Sequence, residues 1–166
     1  MRACETLFLK RLQIVCKEAK CLASERYAYI LTVDEKYWNR LCQKNKAALG
    51  PHVFIRKSQV APKHSQQLLF YVTRKKQVLG VADFVERLTG NYAELWEKFG
   101  SESCFESFDE YKGFVDGREM MTFIRFSNFQ QIADPEPKEE LAKVLGSLHR
   151  FSLGKYLDRE TAMQLV

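Results

Sequence analysis

The amino-acid sequence predicts one α+β domain in which a largely antiparallel sheet, able to close into a barrel, carries short helices around its rim. Three observations lead there. Runs rich in aromatic and β-branched residues recur at 27–33, 52–57, 68–73, 77–85 and 120–126, the composition that a pleated, half-buried surface favours. Between them stand short helical stretches, several with a capping residue at the start or a glycine at the end, without the regular β-α-β alternation of a parallel sheet. A chain of 166 residues, 46% of them apolar, has enough apolar surface for one core and needs no disulfide or metal to hold it.

Taken in order, residues 4–22 read as an amphipathic helix: Phe8, Leu12, Val15, Ala19 and Leu22 recur at spacings of four and three, with Lys10 and Lys17 opposite. Residues 1–26 are therefore set apart as an N-terminal helical extension, and 27–166 as the domain. An apolar stripe of that length invites association, so the domain or a second copy should cover it, the latter giving a homodimer. Residues 27–33 form the first strand. Asp34 caps a helix running to about residue 44, its carboxylate accepting from an early backbone N–H, with Trp38, Leu41 and Cys42 toward the core. Gly50 and Pro51 turn the chain into a short strand at 52–57.

Residues 68–73 and 77–85 read as a hairpin around the basic connection Arg74, Lys75, Lys76. The first run is apolar on both faces and so is central, and Gly80 in the second marks a bulge or a close approach of backbone. A helix over 91–99 ends at Gly100. Ser107 and Glu110 have the spacing of a capping box that opens another. Asp116 and Gly117 turn into a strand at 120–126, which 129–133 continues or pairs beside. Helices over 138–145 and 159–165 follow, the first ended by Gly146, the second capped by Asp158. The runs 29–33, 68–72, 78–85 and 122–126 are expected in one sheet.

The longest apolar runs, 28–31 and 68–72, fall far short of the roughly 20 residues that span a bilayer, and charges interrupt the first 23 positions, which leaves no signal-peptide core. A cytoplasmic protein without membrane contact is expected. Five cysteines, Cys4, Cys16, Cys21, Cys42 and Cys104, show neither a C-x-x-C pair nor a histidine at zinc-ligand spacing, so free thiols and no metal or other cofactor are expected.

Motifs for phosphate cradling, dinucleotide binding, zinc hydrolysis and serine nucleophiles are absent. His52, His64 and His149 form no pair with Ser or Cys at a supporting spacing, so the chain is not expected to be an enzyme. The acidic cluster Glu102, Glu106, Asp109 and Glu110 is best read as favouring a helix N-terminus. The positive signal is charge and aromatics together. Residues 1–83 hold 16 Lys and Arg against 6 Asp and Glu, whereas residues 84–166 hold 10 against 15, so a polyanion would dock on the first half. Basic residues are interleaved with rings: Tyr37 and Trp38; Phe54 beside Arg56 and Lys57; Tyr71 before Arg74, Lys75 and Lys76; His149, Arg150 and Phe151. Cations for phosphates and flat side chains for unstacked bases are what nucleic acid requires, although Trp38 and Phe54 would serve equally as core residues.

The stretch YILTVDEKYWNRL (29–41) resembles the opening strand and helix of PUA-like domains, EVE domains in particular, and LLFYVTRKKQVLGVADFVE (68–86) resembles their central hairpin. FGSESCFESFDEYKGF (99–114) and HRFSLGKYLDRETAMQL (149–165) are similar to segments of an uncharacterised archaeal family in the same superfamily. The resemblance implies a PUA-like pseudo-barrel with a cleft for RNA or a modified base, DNA being the alternative polymer. The base would enter between Trp38, Phe54 and Phe151, with Arg56, Lys57, Arg74, Lys75, Lys76 and Arg150 on phosphates. The G-x-K-x-x-E-x-R signature of the related ASCH domains has no copy here. A second reading is a protein-interaction module that uses the N-terminal amphipathic helix.

Overall fold

The computed structural model describes residues 26–47, 49–145 and 154–166. The expected helix over 4–22 and the segment His149, Arg150, Phe151 lie outside the described residues. The order of elements is β1 (Ala28–Val33), α1 (Glu35–Ala47), β2 (His52–Arg56), β3 (Gln67–Val72), β4 (Gln77–Asn91), α2 (Tyr92–Phe99), a 3-10 turn (Gly100–Glu102), α3 (Phe108–Val115), β5 (Met120–Gln131), α4 (Lys138–Leu145), β6 (Lys155–Leu157) and α5 (Arg159–Met163).

The six strands form one sheet in the order β2-β5-β4-β3-β1-β6. Every pairing between neighbours is antiparallel except β1 with β3, where Ile30 stands beside Leu69. The sheet bends without closing, leaving β2 and β6 as its edges. Register shifts produce the bend, because an extra residue on one strand increases local twist. One lies between Phe70 and Tyr71 in the β3–β4 ladder, and two lie along β4 against β5, between Val81 and Asp83 and between Phe84 and Glu86. Asn128, at φ 52°, is the turning point of β5, which runs through to Gln131 as one strand.

Gly80 is a position of close approach. A Cβ there would lie 2.7 Å from Trp38 Cη2, so any side chain would displace the indole from the core. That core is the concave face of the sheet, where Leu31, Val33, Leu68, Phe70, Phe126 and Phe129 meet Trp38 and Leu41 of α1. The convex face of β1 and β3 packs on α4 and α5 through Leu141, Leu145, Ala162 and Leu165. The far end, β2 and β5, packs on α2 and α3 through Leu95, Tyr111, Val115 and Phe123.

The caps stand where the sequence places them. Ser107 Oγ accepts from the Glu110 N–H at 3.2 Å, Asp34 Oδ1 from the Tyr37 N–H at 2.7 Å, and Asp158 Oδ1 from the Thr161 N–H at 2.7 Å; Asn91, expected inside its helix, is a further cap, its Oδ1 accepting from the Ala93 N–H at 2.9 Å. No described helix is long and apolar enough to cross a membrane. Cys42 and Cys104 are free thiols.

Candidate functional site

At the C-terminal end of β1, the first turns of α1, the middle of β2 and the segment leading into α3 enclose a cleft of about 260 Å³. Asp34 organises one wall. Its Oδ1 accepts the Tyr37 N–H at 2.7 Å, which fixes the first turn of α1 and directs the Tyr37 ring across the opening. That ring meets Phe54 edge-on at 4.7 Å, and its hydroxyl donates to the Val53 carbonyl at 3.4 Å. The facing wall is Phe105 and Phe114, with centroids 5.2 Å apart.

Arg40, one turn beyond Tyr37, closes the cleft from the side. Its guanidinium donates to Glu110 Oε1 at 2.7 Å, to Glu106 Oε1 at 3.2 Å and to the Cys104 carbonyl at 3.4 Å. Lys36 stands 3.7 Å from the same Glu110 oxygen, while Glu110 Oε2 accepts the Glu106 N–H at 3.0 Å. That backbone N–H, together with Arg40, holds the Glu110 carboxyl below its ordinary range, and hydrogen bonding to Glu110 raises Arg40. Burial pushes the Cys104 thiol up to about 11 and the Tyr37 hydroxyl well above its usual value. Both therefore remain protonated at neutral pH, and a protonated thiol is a poor nucleophile.

The sequence-selected residues are distributed unevenly around this cleft. Phe54 lines it. Lys57 stands at its edge, 5.1 Å over the Phe114 ring and 3.6 Å from the Asp116 carboxylate. Arg74, Lys75 and Lys76 form the β3–β4 turn, and Lys75 reaches Glu35, the first residue of α1, at 3.4 Å. Arg56 turns away from the mouth, donating to the Val60 carbonyl at 3.0 Å and facing Tyr29 across the bent sheet. Trp38 corrects the expected cleft floor. It is only 7% exposed, and its ring packs against Phe70, Phe129 and Gly80, where no base reaches its face. One residue of helical rotation decides this, since Tyr37 faces the cleft and Trp38 the core.

Spacing did not reveal Arg40, Glu106 and Glu110 as one network, because the partners lie 66 and 70 positions apart. The acidic cluster keeps its expected place at a helix start, with Asp109 and Glu110 in the first turn of α3, and it also supplies pairing partners. Ser107 is the cap, whereas Glu106 and Glu110 hold Arg40, and Glu102 holds Arg125 through two bonds of 2.7 and 2.8 Å. A readable signal was the stripe Tyr37, Arg40 and Lys44 on α1, at helical spacings of three and four, which faces the 101–110 segment. Lys44 binds the carbonyls of Ser101 and Ser103 there.

The family model for a domain of unknown function, DUF365, matches residues 27–150. The chain belongs to the DUF365 family. Its fold is similar to that of solved structures of ASCH from Zymomonas mobilis. The unmutated protein aligns with a TM-score of 0.69 at 21% identity, covering 84% of this chain and 94% of that one. Two of its point mutants, one Ser to Ala and one Tyr to Phe, give the same TM-score and identity over 85% and 84% of this chain and 95% and 96% of theirs. At that identity the likeness concerns fold, and it places this DUF365 chain in the ASCH, PUA-like architecture although it lacks the ASCH signature. No curated protein matches the sequence.

Proposed function

We propose that this DUF365 chain binds RNA, with a base or modified base seated in the cleft between α1, β2 and α3, and that it does so without catalysing a reaction. The observation that carries the reading is the cleft itself, with Phe54 and Tyr37 on one side and Phe105 and Phe114 on the other. A volume of about 260 Å³ lies below the roughly 300–1,000 Å³ of sites for drug-sized ligands, a scale that suits one planar ring. Lys36, Lys57 and Lys75 at the mouth are within reach of a phosphate chain entering it.

Three titrating groups inside the cleft support the non-catalytic part. A general acid or base works best with a pKa near the operating pH. Here Cys104 and Tyr37 are pushed up and away from neutrality, and Glu110 is pushed down. Hydrogen bonds and ion pairs hold Arg40 and Glu110 to each other.

The test is fluorescence anisotropy of the full chain against single-stranded RNA, duplex RNA and matching DNA. Phe54→Ala should weaken RNA binding by about 5- to 150-fold, the value of about 1–3 kcal/mol for one stacked base. Absence of binding by the wild-type chain at low salt would sink the reading and favour a protein partner. The same RNA incubated with the chain should be recovered unchanged, and turnover of it would remove the non-catalytic part alone.

A further inference from the structure

A second cationic region lies at the opposite end of β1, and it is built differently from the cleft. The β1–β6 ladder pairs Tyr29 with Tyr156 and Ala28 with Leu157. Arg26 lies two residues before Ala28, and Arg159, the first residue of α5, lies two residues after Leu157, so both stand just past the end of this ladder. Both guanidinium groups rest on rings: Arg26 lies 5.2 Å over Tyr156, and Arg159 lies 5.6 Å over Tyr27. Lys63 joins them through the loop between β2 and β3, because its backbone N–H donates to the Tyr156 hydroxyl at 2.8 Å. Other contacts hold that loop in place. Ser65 Oγ donates to the Tyr27 carbonyl at 3.2 Å, and Arg56 and Arg87 hold the carbonyls of Val60 and Ala61.

Arg26, Lys63 and Arg159 are exposed, and among the described residues none of them forms an ion pair. The adjacent Asp158 is occupied as the cap of α5, accepting from Thr161 N–H and Oγ1, and Glu160 follows Arg159 in the same helix. A cation over a tyrosine ring keeps its charge and outer N–H groups available to an anion. Arg74 and Lys76 in the β3–β4 turn also lack ion pairs among the described residues, but no ring positions them. Contacts connect the ladder end to the cleft across the open side of the bent sheet. They run from Arg26 to Tyr156, from Tyr156 to Tyr29 at 5.0 Å, from Tyr29 to Arg56, and two residues along β2 to Phe54.

We propose that Arg26, Lys63 and Arg159, at the open edge beside β6, form a docking surface for the phosphate backbone of single-stranded RNA whose base occupies the cleft. The proposal rests on the reading of the cleft as a base site and adds a path for the rest of the strand. Single-stranded binding joins stacking surfaces to a basic track for the backbone, and here the two parts lie at opposite ends of one strand.

The experiment measures anisotropy of a short fluorescent single-stranded RNA with the full chain at about 50 and about 200 mM salt. The variants are the triple Arg26→Gln, Lys63→Gln, Arg159→Gln, a control triple Lys46→Gln, Lys98→Gln, Lys112→Gln of equal charge change, and Phe54→Ala. Each lost phosphate contact should reduce the slope of log K against log salt by about 0.7. Three contacts therefore reduce the penalty of that fourfold salt step by about twentyfold. The first triple should show this loss and the control triple should not. If wild type binds and Phe54→Ala weakens it while the first triple retains the wild-type slope, the docking surface is wrong and the cleft reading stands. If both triples lose slope equally, binding follows net charge alone and the docking surface again falls. If the first triple loses slope while Phe54→Ala binds as wild type, the cleft reading fails and the basic surface remains. All six cations replaced are exposed, and thermal melts verify that the variants fold.

Discussion

The two ends of the six-residue β1, about 17 Å apart at roughly 3.3 Å per step, use their cations in different ways. At the cleft end, Lys36, Arg40, Lys57 and Lys75 each stand within 4 Å of a carboxylate, on Glu110, Glu106, Asp116 or Glu35. At the ladder end, Arg26 and Arg159 lie over tyrosine rings and Lys63 is carried on a pinned loop. A cation committed to a carboxylate must give up that partner, or share it, before it meets a phosphate. A cation seated on a ring gives up little. The balance of basic and acidic residues along the chain therefore does not locate a polyanion surface, because pairing decides which charges remain available.

The largest expected difference between the two ends is in stability. Arg40→Ala removes bonds to two carboxylates and a carbonyl and leaves half-buried Glu110 without its closest cation. Bonds to charged groups are worth about 1.5–3 kcal/mol, and discounting for the residual exposure of Arg40 leaves a loss of about 1–2 kcal/mol. For a chain of this size that lowers Tm by roughly 3–6 °C. Arg26→Ala should stay within about 0.5 kcal/mol of wild type. Equal losses in thermal melts of the two variants would break the comparison.

Local chemistry made much of the fold legible in the sequence, whereas the pairing just described was not. Asp34, Ser107 and Asp158 cap their helices because a side-chain oxygen needs only its own next few residues. Gly80 was readable because a glycine inside a β-rich run needs a reason, and Trp38 supplies it. The three-residue β6 was missed. A run of Lys, Tyr and Leu is too short to carry a period, and Gly154 before it, at φ 88° against the Tyr29 ring, was the available signal. Helical spacing had put Trp38 with Leu41 and Cys42 toward the core, as found, whereas residue type alone had made the same indole a candidate for stacking and passed over Tyr37. Arg159 sits in the acidic half of the chain, so counting charge by halves concealed a member of the basic surface.

A smaller effect should separate the two ends by pH. His52, at the start of β2, is 1% exposed. One ring nitrogen lies 3.1 Å from Asn45 Oδ1, and the other, Nδ1, has no hydrogen-bond partner among the described residues. Burial holds its pKa below the ordinary value, Lys44 adds to that and Glu102 opposes it. The unfolded chain therefore takes up a proton at a pH where the folded chain does not. Stability falls as pH drops below about 6.5 and continues to fall until the lower folded value is passed. Melts of His52→Gln and wild type between about pH 8 and about pH 5 should converge as pH falls. A constant gap would show that His52 is not the linked group. Arg26→Gln should run parallel to wild type over the same range, since no histidine contact is lost with it.

The smallest expected change in stability is at the β3–β4 turn, where Lys75, paired with Glu35, stands beside Lys76, which has no ion pair among the described residues. Lys75 is more than half exposed and 3.4 Å from Glu35, and exposed pairs contribute about 0–1 kcal/mol. Lys75→Ala should thus leave Tm nearly unchanged, as should Lys76→Ala. Binding is where these two variants become informative. If the RNA backbone crosses the cleft mouth beside α1, Lys75→Ala and Lys76→Ala together reduce the salt slope by about 1.4, twice about 0.7 per contact. The reduction should be the same for every RNA sequence tested, because phosphate contacts carry no base information. With Lys75 tied to Glu35, the single variants should be unequal, Lys76→Ala reducing the slope more than Lys75→Ala. If Lys75→Ala has the larger effect, Glu35 does not hold the cation against phosphate, and the contrast between paired and unpaired cations no longer predicts where RNA docks.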